Sequence, residues 1–303
     1  MIETDSLDYR RAIIAIGVIA GILFVGILII GAMAAAGEES AGEISADYAM
    51  IHALGTAQGK IQQDLWDLDS AVTNGAAGLG QNQQEGDHAL AILSGMSNMG
   101  PAAIDAVKVG PNGTITAVSP ERYKSVIGAD ISNQTHIKRL YEQKIPVMSN
   151  LFVTVEGFPA VDIASPVFSP DGTFIGSTTL LISPGTLIGG DLPPAANGTG
   201  SWDVWAVQDD GTILFASDGE PAGDNIFVYQ GPGKYPDLVS MARNITQEWQ
   251  GDVLIESTDV QGRPVTKHIV WTTVGIRGTV WRLVFGREIP SPGTADFFNE
   301  TIV

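Results

Sequence analysis

GPNGTITAVSPERYKSVIGADIS, residues 110–132, is echoed by QDDGTILFASDGEPAGDNIF, residues 208–227. In each, a Gly-Thr turn leads into a strand, then a polar loop, then Gly-x-Asp/Asn-Ile. A second pair follows in the same order: PDGTFIGSTTLLI (170–182) and IRGTVWRLVFG (276–286). The offset is about 100 residues in both pairs, which predicts two copies of one module of that size. Gly-Thr hairpins occur in many β proteins, so it is the ordered pair of echoes that carries the reading.

The segments around the echoes read as an antiparallel sheet with inserted helices. Ile104 to Val109, Thr114 to Val118, Val161 to Phe168 and Phe174 to Ile182 are rich in β-branched and aromatic residues. Pro111-Asn112-Gly113, Pro170-Asp171-Gly172 and Asp209-Asp210-Gly211 separate strands, and Asn-Gly and Asp-Gly favour the positive φ of tight turns. Asn133 to Gln143 is a polar helix candidate. The predicted class is α+β.

Upstream the period changes. Ile44, Ile51, Leu54, Ile61, Leu65, Leu68 and Val72 fall on one face of a helix over residues 40–73. Asn74-Gly75 and Gly78 to Gly80 are expected to punctuate it. Before it runs AIIAIGVIAGILFVGILIIGAMAAAG, Ala12 to Gly37, with no charged residue. As a helix it would span roughly 39 Å against a bilayer core of about 30 Å. It is longer than the apolar region of a cleaved signal. Arg10 and Arg11 precede it and the next basic residue is Lys60, which predicts a cytoplasmic N-terminus and an extracytoplasmic remainder. The expected organisation is a cytoplasmic tail 1–11, a transmembrane helix 12–37, a stalk region 38–84, a membrane-distal module 85–188, a membrane-proximal module 189–288 and a C-terminal tail 289–303.

The net charge of −18 argues against nucleic acid as a partner. The absence of cysteine removes disulfides, thiolate metal sites and a Cys nucleophile. Asn112, Asn133, Asn197, Asn244 and Asn299 each begin an N-x-Thr sequon, in keeping with an outside location. The histidines at 52, 88, 136 and 268 lack metal-ligand spacing, Gly55 to Lys60 falls one residue short of a P-loop, and Ser94 lacks the spacing of a nucleophile elbow. No enzyme, cofactor or metal site is expected.

The chain resembles the double Cache family, the PAS-like extracytoplasmic sensor modules of prokaryotic chemoreceptors and sensor kinases, with a flavour closest to those of methanogenic archaea. The resemblance rests on the stalk helix, on IGADIS (127–132), on KIPVMSNLFVTVEGFPAVDIASPVFSPDGTFIGSTTLLIS (144–183), and on residues 202–227 and 271–286 as the second module. It implies two tandem PAS-like sheets and a ligand pocket in the distal one, lined by Asn133 to Tyr141, Ser149 to Val155 and Asp162 to Ser165. The amino-acid-binding branch carries Arg-x-Trp-Tyr on the pocket helix. Gln134, His136 and Ile137 stand there instead, which weakens an α-amino acid as ligand.

Within that region the ligand-binding candidates are His136, Arg139, Tyr141, Ser149, Asp162 and Ser165. Arg139 has the fork to pair a carboxylate, and equally reads as a solvated helix residue beside Lys138. Tyr141 and Phe152 also read as core. Asp162 is a lone carboxylate in an apolar strand and needs a partner if it faces inward. The expected function is a membrane-anchored extracytoplasmic sensor of a small polar molecule. Without an output domain of its own, it would signal through a dimerised stalk or a partner protein. The alternative is a structural surface or pilin-like protein, with Gly17, Gly21 and Gly26 allowing close helix packing.

Overall fold

In the computed structural model, residues 41–81, 86–194, 202–219, 221–227, 238–258 and 263–289 are described. Among them no helix is long and apolar enough to cross a membrane. The predicted span 12–37, the tail 1–11, Asn197 and Asn299 lie outside the described residues. Asn112, Asn133 and Asn244 are exposed.

The chain builds one long helix and two antiparallel sheets. Helix α1 is Ala41–Gly80. It is followed by α2 (Asp87–Ser97), β1 (Ala103–Val109), β2 (Ile115–Ser119), a 3-10 turn (Glu121–Val126) and α3 (Thr135–Gln143). Next come β3 (Val147–Met148), β4 (Phe152–Val153), β5 (Pro159–Phe168), β6 (Phe174–Ile182) and α4 (Pro184–Asp191). The second half holds β7 (Asp203–Gln208), β8 (Ile213–Ala216), α5 (Leu238–Gln247), β9 (Gly251–Thr258), β10 (Pro264–Ile276) and β11 (Thr279–Ile289). The first sheet runs β2-β1-β6-β5-β3, with β4 beside β5, and the second β8-β7-β11-β10-β9. The two orders are the same once β4 is set aside.

The repeat extends to individual hydrogen bonds. Gly113 and Gly211 have φ of 84° and 83°. The Asn112 and Asp210 side chains accept from the amides of Thr114 and Thr212. Thr114 bridges Asp130 as Thr212 bridges Asn225. The Ile131 and Ile226 amides donate to the carbonyls of Gly113 and Gly211, each at 2.9 Å. A short acceptor side chain three residues before the strand, and a glycine free to take positive φ, suffice to set this turn twice.

Helix α1 is longer than its sequence suggests. Gly75 and Gly78 do not end it, and it stops at Gly80. A Cβ at Gly75 would strike Met96, one at Gly78 would come within 3.1 Å of Ile92, and one at Gly80 would strike the Phe168 carbonyl. These glycines let α2 and β5 approach the helix backbone. The packing offsets a propensity cost of about 1 kcal/mol for each glycine.

The predicted stripe faces the core. Ile61, Leu65 and Val72 have no exposed surface, and Leu54 and Leu68 are buried. They share one apolar cluster with Met148, Ile163 and Leu180 of the first sheet and Trp281, Leu283 and Phe285 of the second. Polar residues fix the helix to the second sheet. The Gln62 amide exchanges two 3.0 Å bonds with the backbone of Gly275, and Asp69 holds Arg277 at 2.8 and 2.6 Å.

Nearer its start, Asp47 meets Arg287 Nε at 2.5 Å and His268 Nδ1 at 3.0 Å, while His268 Nε2 lies 3.4 Å from Asp252. Burial opposes the His268 charge, but the bonds to Asp252 and Asp47 and their charges outweigh it and bring its pKa up to about 9. A base raised above its unfolded value of about 6.5 adds stability that is complete below that value and is lost as pH rises through about 9. His268→Gln is therefore expected to cost about 1–2 kcal/mol at pH 6 and almost nothing at pH 10. Denaturant titration at the two pH values checks this.

Candidate functional site

Each sheet has two covered faces. In the first, Ala106, Ile163 and Leu180 point toward α1, whereas Val107, Val109, Val147 and Ala164 pack on the other side with Ile137 and Leu140 of α3. Strand residues alternate between faces, so Asp105 and Asp162 belong to the α3 side. Both are register partners of Leu181 on the central strand β6. Asp105, Leu181 and Asp162 thus form one row across three strands, with the two aspartates' Cα atoms about 10 Å apart.

Both aspartates are almost fully buried, with 0 % exposure for Asp105 and 2 % for Asp162. Asp162 Oδ2 lies 2.9 Å from His136 Nε2 on α3. Its backbone is clamped on both sides, since the Asp162 amide donates to Ser149 Oγ and the Ser149 amide to the Asp162 carbonyl, each at 2.8 Å. Phe152 of β4 stacks obliquely on the His136 ring at 4.9 Å. The turn after β4 closes with a Thr154 amide to Phe158 carbonyl bond of 3.0 Å. Phe158 in turn lies 6.4 Å from the Tyr123 ring of the 3-10 turn.

The acceptors of this cluster are not saturated. Among the described residues neither oxygen of Asp105 has a hydrogen-bond partner, and nor do Asp162 Oδ1, Glu156 Oε2 and Thr154 Oγ1. Burial, reinforced by Glu156 and Asp162 and opposed by Arg122, pushes the Asp105 pKa up to about 8. Buried polar atoms are nearly always paired, so these five unpaired atoms set the cluster apart from the surrounding apolar core.

The six sequence candidates separate. His136, Ser149 and Asp162 are brought together. Tyr141 lies farther along the same side, donating to the Gly110 carbonyl at 2.6 Å with its ring edge-on to Phe174. Arg139 reaches the Arg277 carbonyl through Nη2 at 3.4 Å, and its Nε is buried with no partner among the described residues. Ser165 is paired with Thr178 on the face turned toward α1. Asp105, Glu156 and Thr154 were not among the candidates. Asp105 carries the signal that singled out Asp162, a carboxylate within an apolar strand, here AIDAVKV.

The cluster also touches the second sheet. Thr279 Oγ1 donates to the Met148 carbonyl at 2.7 Å, and the Leu151 amide donates to Gln208 at 2.6 Å. Met148 and Leu151 flank Ser149, and Arg139 sits one turn after His136.

Residues 63–184, which span this whole site, match the family model described as HK/GC/Chemotaxis protein-like, sensor domain. The fold is a Cache-like sensor fold. An extracellular ligand binding receptor from Desulfohalobium retbaense DSM5692 is similar at 31% identity and TM-score 0.65, over 79% of this chain and 40% of that one. The chain thus spans two fifths of the length of that relative. Methyl-accepting chemotaxis protein X shares the fold at 15% identity and TM-score 0.59, over 81% of this chain and 99% of that one. The ligand binding domain of the Pseudomonas aeruginosa PAO1 amino acid chemoreceptor PctC, solved with GABA, does so at 16% identity and TM-score 0.52, over 76% and 94%. No curated protein matches the chain. The sensor fold accounts for the long helix and the paired antiparallel sheets.

Proposed function

We propose that this chain is a membrane-anchored extracytoplasmic sensor that binds a small polar molecule between the first sheet and α3. The observation that carries the reading is the buried row of Asp105 and Asp162 with unpaired oxygens, on a sheet belonging to a receptor sensor fold. Solved neighbours with this fold hold amino acids or GABA, which supports a small ligand of similar bulk. In this reading residues 12–37 are the anchor, the first sheet is membrane-distal and the second membrane-proximal. A ligand that repositions His136 or Ser149 bears on Arg139 and Met148, and through them on the β10–β11 turn and α1. The signal then leaves along α1 to a second copy or a partner protein.

A thermal-shift screen of the full chain against organic acids, amines, purines and sugars tests it. One class is expected to raise the melting temperature by several degrees. That rise should disappear in Asp162→Ala and persist in Ser165→Ala, which alters the opposite face. A melting temperature unmoved by every class at millimolar concentration would overturn the proposal.

A further inference from the structure

Resting on that reading, we infer that the ligand is an organic cation, bound through ammonium or amidinium N–H groups set between Asp105 and Asp162, and that its binding expels a proton from the Asp105 carboxyl. The unpaired atoms of the cluster belong to three carboxyl groups and one hydroxyl, so it offers acceptors in excess. The one arginine of α3, Arg139, gives its Nη2 to the Arg277 carbonyl at 3.4 Å, and its buried Nε is a single unpaired N–H against five unpaired acceptor atoms. Arg122 influences Asp105 but is exposed, its guanidinium 5.0 Å over the Tyr123 ring. The other charged residues of α3, Lys138 and Glu142, face solvent. Neither β2 nor β6 contributes a titratable side chain. Asp105 therefore meets Glu156, Asp162 and, through Asp162, His136.

A ligand carboxylate or phosphate would be repelled by Asp162 and Glu156, and Gln134, His136 and Ile137 stand where the amino-acid-binding branch has Arg-x-Trp-Tyr. A bare metal ion fits less well. Among the described residues no three His, Asp or Glu side chains gather closely enough to hold one. Acceptors spread over about 10 Å suit N–H donors at the ends of a short carbon chain.

The proton follows from burial. An isolated carboxylate with no exposure and no donor is costly to ionise, so Asp105 is protonated at neutral pH before a ligand binds, in line with its raised pKa of about 8. The reaction balances as Asp105 carboxylic acid plus ligand ammonium giving the carboxylate–ammonium pair and one proton released to solvent. Below the pKa of Asp105, affinity should rise up to tenfold per pH unit.

Calorimetry of the full chain with 1,4-diaminobutane, n-butylamine and succinate, at pH 6 and 7.5 in phosphate and in buffers of high ionisation enthalpy, tests this. The diamine is expected to bind more tightly than the monoamine, succinate not at all. Close to one proton should be released at pH 6, and none in Asp105→Asn. Asp162→Asn, which leaves Asp105 intact, should weaken the diamine at least tenfold while keeping the proton release. Binding of succinate or of an uncharged ligand instead, lost in Asp162→Ala, would overturn the cation inference and leave the sensor reading standing. Amine binding with no proton release would overturn the role of Asp105. No binding by any compound, here or in the wider screen, would overturn both.

Discussion

Asp105→Asn is expected to raise the melting temperature of the empty protein at pH 8 by about 5–10 °C. The wild-type carboxyl is fully buried, has no donor on either oxygen and faces two further carboxyls. Its pKa stands at about 8, against 3.8 for the ordinary group. An acid whose folded pKa is raised binds its proton more tightly folded than unfolded, so stability falls as pH rises from about 4 to about 8. Asparagine keeps the shape, removes the charge and adds two donors toward Glu156 and Asp162. The relief is about 2–3 kcal/mol, within the cost of burying an unpartnered polar group, and a domain of this size shifts by about 2–4 °C per kcal/mol. At pH 4.5 the two proteins should melt within a degree or two of each other. Melting curves across pH 4.5–8.5 decide it: a variant less stable than wild type at pH 8, or a wild type flat across the range, would remove the physical basis for a neutral Asp105.

Leu65→Ala is expected to lower stability by about 2–5 kcal/mol and to do so for both sheets at once. Leu65 is wholly buried at the centre of α1. It belongs to the single apolar cluster that takes Ile163 and Leu180 from the first sheet and Trp281 and Phe285 from the second. Truncation loses the transfer free energy of the side chain and opens a cavity that a long helix pinned on both sides fills poorly. Tryptophan fluorescence reports mainly on the second half, since Trp205, Trp249, Trp271 and Trp281 lie there. Circular dichroism reports on both sheets and the helices. The two signals should move together in one transition. Separate transitions, with only one displaced, would show that the sheets unfold independently and that α1 is not a shared core.

The legible and illegible parts of this protein divide along sequence distance. A Gly-Thr turn with an Asn or Asp before it satisfies its own backbone within five residues. The 110–132 and 208–227 echo therefore already contained the turn geometry that both sheets repeat. The stripe from Leu54 to Val72 likewise named the face of α1 that is buried, because a helix needs only its own period to define a side.

Three things were decided elsewhere. The glycines at 75 and 78 read as stops but serve as contact points, and Gly80, where the helix does end, is one too, since what they touch is Ile92, Met96 and Phe168. Arg139 read equally as a carboxylate ligand and as a solvated helix residue, and the contact its Nη2 makes with the carbonyl of Arg277, far along the chain, was visible in neither reading. Asp105 and Asp162 are strangers in sequence. They become neighbours of one residue, Leu181, only because β6 is the middle strand. Local periodicity and turn chemistry fix elements and faces at short range. Which two carboxylates share a row, and whether anything neutralises them, depends on the strand order, which only the folded sheet supplies.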